Sequence, residues 1–432
     1  MDSPLTQHNG TPCQPWQALA QGLGYADEDE RYWGSKICPL AGRMMKWARY
    51  STSEQYRVMA FLFTYIIPSC GPKPNDEGDL HWKICMNYDC TPLQLSLNFH
   101  NDEITLRTCN VPISRISGTA HDPINQQAPL EAMTRQQRAL PSQDTRWFDH
   151  FVSNLFLEPD AAAALKTKAN DVQIRTGVQC ILSHDFPHGK VQCKVTFAPF
   201  WKAFATGSEM KTVIWDAILG LGDDVALYRP ALDVLDRYLA SDNAKAAGAM
   251  ASFFSFDSVL EGDYKRSRIK IYFCTVRTAF DSMVDIYTLG GSLSGPEMVR
   301  SIDALRILWK AIVKVPEEWP DDTDLPSNPS STAMVIFNFE IRPGRELPTP
   351  KIYLPAHYYG RSDLEMADGM DVFFQSQGLD AVYSSYKENF IRCFMNSDKQ
   401  LTAVHHDVSF SMTPSGPYVT AYYKPELNTR IG

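Results

Sequence analysis

Five cationic side chains, Arg107, Lys194, Arg268, Lys270 and Lys351, stand on the polar side of short stretches in which apolar and polar residues alternate. Tyr272, Tyr353, Tyr418 and Tyr422 share stretches of the same kind. Alternation sends successive side chains to opposite faces of a strand, so one face of each stretch is apolar and the other collects cations and phenols. Cations gathered on one surface repel one another unless an anion lies among them. A diphosphate meets that need, and aromatic faces in a lumen could ring a cation. The same alternation suits a sheet with one solvated face, where Lys, Arg and Tyr are ordinary residents. Against this stands the near absence of acidic residues on these faces, with Glu340 the main exception.

The elements that would position these residues follow from periodicity. Alternating segments span 93–99, 103–109, 190–198, 267–274, 335–342, 350–355, 404–411 and 417–423, and strand-like character begins at Trp82. Helical spacing begins near Trp16 and runs through 47–68 until Pro68 stops it. Further helices are predicted near 145–158, 209–221, 229–248, 295–314 and 362–396, the last broken around Gly378. Strands that come in pairs, each with one apolar face, and helices enough to cover those faces predict an α/β protein built on a closed antiparallel β-barrel with a polar lumen. A TIM barrel fits less well, because its strands alternate singly with helices and its interior packs dry. The Pro- and Asp-rich stretch 316–332 reads as a surface loop, since strand pairs continue after it, so one barrel domain over residues 1–432 is expected.

Composition narrows the functions available. The chain has 432 residues, 44% hydrophobic and 21% charged, enough for a large core. A net charge of −9 argues against a general nucleic-acid or anionic-membrane surface, so an anion site must be local. The first residues lack a basic segment followed by an apolar run, and no stretch approaches the roughly 18 apolar residues of a membrane span, so a soluble cytoplasmic protein is expected. The ten cysteines form no CxxC pair, Cys85 and Cys90 being the nearest approach, and reduced thiols are expected. Acidic runs at 75–79 and 321–324 lie in Pro- and Gly-rich loops, where carboxylates do not stack on one helical face to hold Mg²⁺. No GxxxxGK[ST], GxSxG or GxGxxG motif occurs.

Several motifs in order carry a family resemblance: Trp16-Gln17-Ala18-Leu19, Thr91-Pro92-Leu93-Gln94-Leu95-Ser96, Lys194-Val195-Thr196-Phe197, Ser267-Arg268-Ile269-Lys270-Ile271-Tyr272, Tyr287-Thr288-Leu289-Gly290-Gly291, Pro350-Lys351-Ile352-Tyr353 and Tyr418-x-x-x-Tyr422. Over nearly its whole length the chain resembles the fungal aromatic (indole) prenyltransferases of the dimethylallyltryptophan synthase type. The resemblance implies a prenyltransferase barrel of about ten strands in repeated αββα units. It also implies transfer of a prenyl group from an allylic diphosphate, dimethylallyl diphosphate first, to an aromatic acceptor such as an indole in secondary metabolism, without Mg²⁺ or another cofactor. By the resemblance, Arg107, Lys194, Arg268, Lys270 and Lys351 hold the diphosphate, and Tyr272, Tyr353, Tyr418 and Tyr422 shield the allyl cation and help to bind the diphosphate. Two departures stand out. Gln94 stands where the family usually has a glutamate that bonds the indole N–H, and Thr196 replaces a tyrosine of the shield. Gln94 accepts a hydrogen bond but has no useful basicity, so His184, which falls across an insertion at Phe186 to His188 near where some members carry a lysine, is the candidate base; the alternative is that His184 is a polar loop residue and released diphosphate or water takes the proton. A phenolic or large indole-terpenoid acceptor, or a non-catalytic barrel binding a hydrophobic anion, are the alternatives. A homodimer is left open.

Overall fold

In the computed structural model, the described residues are 13–84, 86–87, 89–260, 263, 266–330, 333–379, 383, 385–395 and 404–424. Ten strands form the centre: β1 (Leu93–His100), β2 (Glu103–Asn110), β3 (Cys180–Asp185), β4 (Gln192–Phe197), β5 (Met250–Ser258), β6 (Ile269–Thr275), β7 (Val335–Ile341), β8 (Thr349–Leu354), β9 (His405–Thr413) and β10 (Gly416–Tyr423). Each pairs antiparallel with its sequence neighbours, and β1 closes on β10 through Ser96 opposite Tyr422, so the sheet has no edge. Five hairpins are thus separated by helical stretches. Odd strands all begin, and even strands all end, at the barrel end that receives the helices, while the hairpin turns gather at the other.

Alternation sorts the side chains between two environments. On β1, Leu93, Leu95, Leu97 and Phe99 are buried outward against helices. Phe99 packs on Phe374 and Tyr386 of the helices Asp363–Ser376 and Tyr386–Phe394. A second cluster forms around Phe151 of the helix Arg146–Leu155, whose ring contacts Phe197, Phe254 and Phe256 on β4 and β5 at 5.8, 4.7 and 5.4 Å. Each such ring contributes roughly 1.5–3 kcal/mol of burial, which makes the apolar layer between barrel and helices the core of the molecule. The polar faces turn into the lumen.

Several sequence expectations are corrected. Among the described residues, the strand-like character expected from Trp82 does not produce a strand before Leu93. The helix expected across 47–68 is interrupted at 48–51, where Ser51 accepts from the Glu54 amide (3.3 Å) and Glu54 accepts from the Ser51 amide (2.7 Å), a reciprocal cap that starts a new helix, Thr52–Phe61. Helix 229–248 is two, Arg229–Leu239 and Asp242–Ala246, with Ser241 capping the second. The break expected around Gly378 within 362–396, by contrast, is present: the first helix ends at Ser376, and Gly378 takes a left-handed φ of 70° that suits glycine. Two strands, β3 and β5, were not anticipated.

Strands on both sides of 316–332 belong to the same closed sheet. Within that loop Asp324 accepts from the amides of Thr278 (2.6 Å) and Ala279 (2.8 Å) and pairs with Arg277 at 2.7 Å, so it secures the start of the helix Phe280–Thr288. Nine described cysteines are free thiols, and Cys85 lies outside the described residues. Among the described residues no helix is long and apolar enough to cross a membrane.

Candidate active site

The lumen encloses a cavity of about 1360 Å³. All five sequence-predicted cations and all four predicted tyrosines line it, together with Gln94. His184 does not.

The cations form a band toward the hairpin-turn end, and the unanticipated strands supply their counter-charges. Asp185 on β3 lies opposite Arg107 in register and bonds both Arg107 (3.2 Å) and Lys194. Asp257 on β5 lies opposite Lys194 and bonds Arg268 and Lys270, the latter at 3.1 Å. Glu340 adds a second contact to Arg268 at 3.0 Å. The expected near absence of acidic partners is therefore wrong: two of the three carboxylates stand on strands that alternation did not reveal. Burial pushes the Asp185 carboxyl up, but Arg107 and Lys194 more than offset it and hold it at about 2. Burial likewise acts against Asp257 and Glu340, and the cations around them pull both below the usual carboxylate range. Five cations against three carboxylates leave the band positive.

Lys351 is the cation without a carboxylate contact among the described residues. Its ammonium sits 4.0 Å from the centre of the Tyr418 ring. Burial and the neighbouring Arg107 push its pKa well below the ordinary lysine value. Arg107 donates through Nη2 to the Tyr418 hydroxyl, and its buried Nε has no partner among the described residues.

Aromatic rings continue from this band toward the helix-receiving end. Phe253 and Tyr272 stack at 4.4 Å, Tyr272 and Tyr353 are 6.3 Å apart, and Tyr353 and Tyr422 are 5.8 Å apart. Asn338 donates to the Tyr353 hydroxyl at 2.9 Å and fixes that ring. Burial and the neighbouring phenols push the Tyr353 hydroxyl well up, so it stays a neutral phenol. Phe253, on β5, is a member of this wall that sequence reasoning missed. Thr196 lines the lumen beside Ser255 and contributes no ring.

The helix-receiving end is different in chemistry. Met86, Val178, Ile181, Ala198, Phe200, Met210 and Ile336 give it an apolar lining. Gln94 is 7% exposed and donates through Nε2 to Asn87 Oδ1 at 3.4 Å. Asn87 is held in turn by donating to the carbonyls of Thr91 (2.7 Å) and Leu93 (3.0 Å), so its oxygen faces Gln94 and the Gln94 oxygen remains an acceptor.

His184 must be reassigned. It points outward from β3, is 2% exposed, and packs at 5.1 Å against Phe61. Its Nε2 lies 2.7 Å from Gln136 Oε1 and its Nδ1 lies 3.2 Å from Thr108 Oγ1. Gln136 spends its amide hydrogens on Gln143 and Cys193, so it accepts from His184, and the imidazole is a neutral Nε2–H tautomer. Burial pushes its pKa down to about 3. The residues after β3 form the turn Pro187–Gly189, and on β3 itself Asp185, paired with Arg107, takes the lumen-facing place next to His184.

Residues 29–389 match the family described as tryptophan dimethylallyltransferase. The chain belongs to the tryptophan dimethylallyltransferase family. It is 62% identical over 393 residues to the indole diterpene prenyltransferase nodD1 of Hypoxylon pulicicidum, covering 91% of each chain. It is 50% identical to the indole diterpene prenyltransferase janD of Penicillium janthinellum, covering 96% of this chain and 95% of that one. The solved structure of NotF in complex with brevianamide F and DMSPP superposes with a TM-score of 0.81 at 25% identity, covering 97% of this chain and all of that one. As a tryptophan dimethylallyltransferase family member the chain is an aromatic prenyltransferase, moving a prenyl group from an allylic diphosphate to an aromatic ring.

Proposed function

We propose that this prenyltransferase transfers a dimethylallyl group from dimethylallyl diphosphate to an indole diterpene, without a metal ion. One observation carries the reading: a single lumen divided into a cationic band and an apolar half that holds Gln94. Its volume exceeds the ~300–1,000 Å³ of an ordinary single-ligand pocket, which leaves room for donor and a large polycyclic acceptor together. The relatives named as indole diterpene prenyltransferases support the same acceptor class.

The chemistry follows from the layout. The donor diphosphate seats among Arg107, Lys194, Arg268, Lys270 and Lys351, where fixed cations stabilise negative charge as the C–O bond lengthens. The same cations make Mg²⁺ unnecessary, and among the described residues no three His, Cys, Asp or Glu side chains are grouped to bind a metal. The rings of Phe253, Tyr272, Tyr353 and Tyr422 cover the allylic cation and keep water from it. Gln94 accepts the indole N–H and orients the ring for attack. The new carbon–carbon bond produces an arenium ion, which must lose a proton to recover aromaticity.

An acceptor panel tests the reading. Turnover with indole diterpenes well above that with tryptophan or simple phenols is expected from mass spectra of the products. Preference for free tryptophan would count against the assigned acceptor class.

A further inference from the structure

The strand β9 departs from alternation at one point. Asp407 pairs with Tyr422, but the next residue of β10, Tyr423, pairs with His405, so His406 is an extra residue bulged out of the ladder. Val408 and Phe410 face the outer core, and strict alternation would send His406 outward with them. A bulge re-aims a side chain, and here His406 lines the lumen together with Asp407. The imidazole Nδ1 lies 2.7 Å from Asp407 Oδ2. With Nδ1–H donated to that carboxylate, Nε2 carries the lone pair and has no partner among the described residues.

The pair stands in the half of the lumen that receives the acceptor, because β9 begins and β10 ends there, beside Tyr422. On the proposed-function reading, the arenium ion forms in this half. From these positions we infer that His406, oriented by Asp407, is the general base that takes the arenium proton. The ring C–H bond breaks, its electron pair restores the aromatic ring, and the proton passes to Nε2, where Asp407 pairs with the imidazolium. The donor's C–O electron pair has already left with the diphosphate, so no other reactant is needed.

Other lumen groups serve worse. Asp185, Asp257 and Glu340 are bound to cations, and burial pushes the Tyr353 and Tyr422 hydroxyls and the Cys109 thiol up. Lys351 belongs to the cation band, where its side-chain nitrogen lies over the Tyr418 ring. The titratable groups facing His406 are Asp407 beside it and His357, stacked on it at 5.8 Å from the helix Ala356–Tyr359, and His357 in turn feels the charges of Lys424, Asp407 and Asp363.

The test uses the full chain with dimethylallyl diphosphate and an indole diterpene carrying deuterium at the attacked ring carbon. His406→Gln is expected to lower kcat by about 100-fold or more, with acceptor KM changed little. A primary isotope effect absent in the wild type should appear in this variant, since proton loss becomes rate-limiting, and added imidazole should restore turnover to His406→Ala. Asp407→Asn, which keeps the strand intact, should move the acidic limb of kcat to lower pH. Unchanged kcat in His406→Gln, or a loss with neither isotope effect nor imidazole rescue, would overturn the assignment and leave released diphosphate or water as the base. Wild-type turnover in the same assay reports separately on the acceptor reading: no wild-type product would overturn that reading, and this one with it.

Discussion

Asp257→Asn tests what the carboxylates do in the empty lumen. In the wild type Asp257 bonds Arg268 and Lys270, and Arg268 has a second partner in Glu340, while Lys270 has no other ion pair among the described residues. The side chains are mostly buried, Lys270 at 9% and Asp257 at 16% exposure. Removing one member of a buried pair and leaving the other charged costs roughly 3–5 kcal/mol. Asparagine keeps an acceptor oxygen and Arg268 keeps Glu340, so the lower figure, about 3 kcal/mol, is the expected loss of stability without ligand. A bound diphosphate supplies the missing anion, and Arg268 and Lys270 no longer divide their hydrogen bonds between ligand and carboxylate. Pyrophosphate should therefore bind the variant more tightly than the wild type, about tenfold for each 1.4 kcal/mol of relieved repulsion, and should raise its melting temperature further. Thermal unfolding and calorimetric titration with pyrophosphate read both quantities. Equal stability, together with equal or weaker pyrophosphate affinity, would refute the idea that the carboxylates stand in for the diphosphate.

Other perturbations separate the roles of individual residues. Arg268→Ala and Lys270→Ala should each lower kcat/KM by about 10- to 100-fold, the worth of one charge-assisted hydrogen bond at ~1.5–3 kcal/mol, with circular dichroism unchanged; full activity in both would return them to an ordinary polar face. Lys351 is pushed down in the empty enzyme and must be protonated against a diphosphate, so pyrophosphate binding should take up a fraction of a proton, seen as a buffer-dependent binding enthalpy, and should weaken as pH rises; a buffer-independent enthalpy would contradict this. His184 is neutral in the fold at about 3 but titrates near 6.5 when unfolded, so the unfolded state gains the proton first and its contribution to stability should be lost as pH falls between those values. His184→Phe should flatten that acid dependence while leaving the pH profile of kcat unchanged, and a shifted profile would restore a catalytic role. Limited proteolysis should cut within 316–332 yet leave the fragments associated, because strands from both sides complete one sheet; separation under native conditions would argue against a single unit.

What the sequence disclosed depended on how strictly a strand kept its period. On β1, β6 and β10 the alternation is regular, and Gln94, Lys270, Tyr272, Tyr418 and Tyr422 were all placed correctly in the lumen. On β5 the pairing shifts between Ala251 and Phe253, which puts Phe253 inside and the adjacent Phe254 outside and hides the strand in a run of aromatics. On β3 an outward His184 replaces the apolar residue that the period demands. Missing these two strands meant missing Asp185 and Asp257, so the cation band looked unpaired when it is braced. The bulge at His406 had the opposite effect: a regular reading of β9 turns that imidazole outward, and only the register recovers it. His184 was proposed from alignment, which carries no information on which face of a strand a side chain takes.

Prenyl transfer within this lumen should need no metal ion. Its most direct test is turnover of dimethylallyl diphosphate and an indole diterpene by the purified full chain in excess EDTA, reading product mass and released diphosphate together. Metal-free transfer should give an acceptor heavier by one dimethylallyl unit, formed in step with diphosphate and at the same rate when Mg²⁺ is added. Product that appears only after Mg²⁺ is restored, or diphosphate released with no prenylated acceptor, would contradict it.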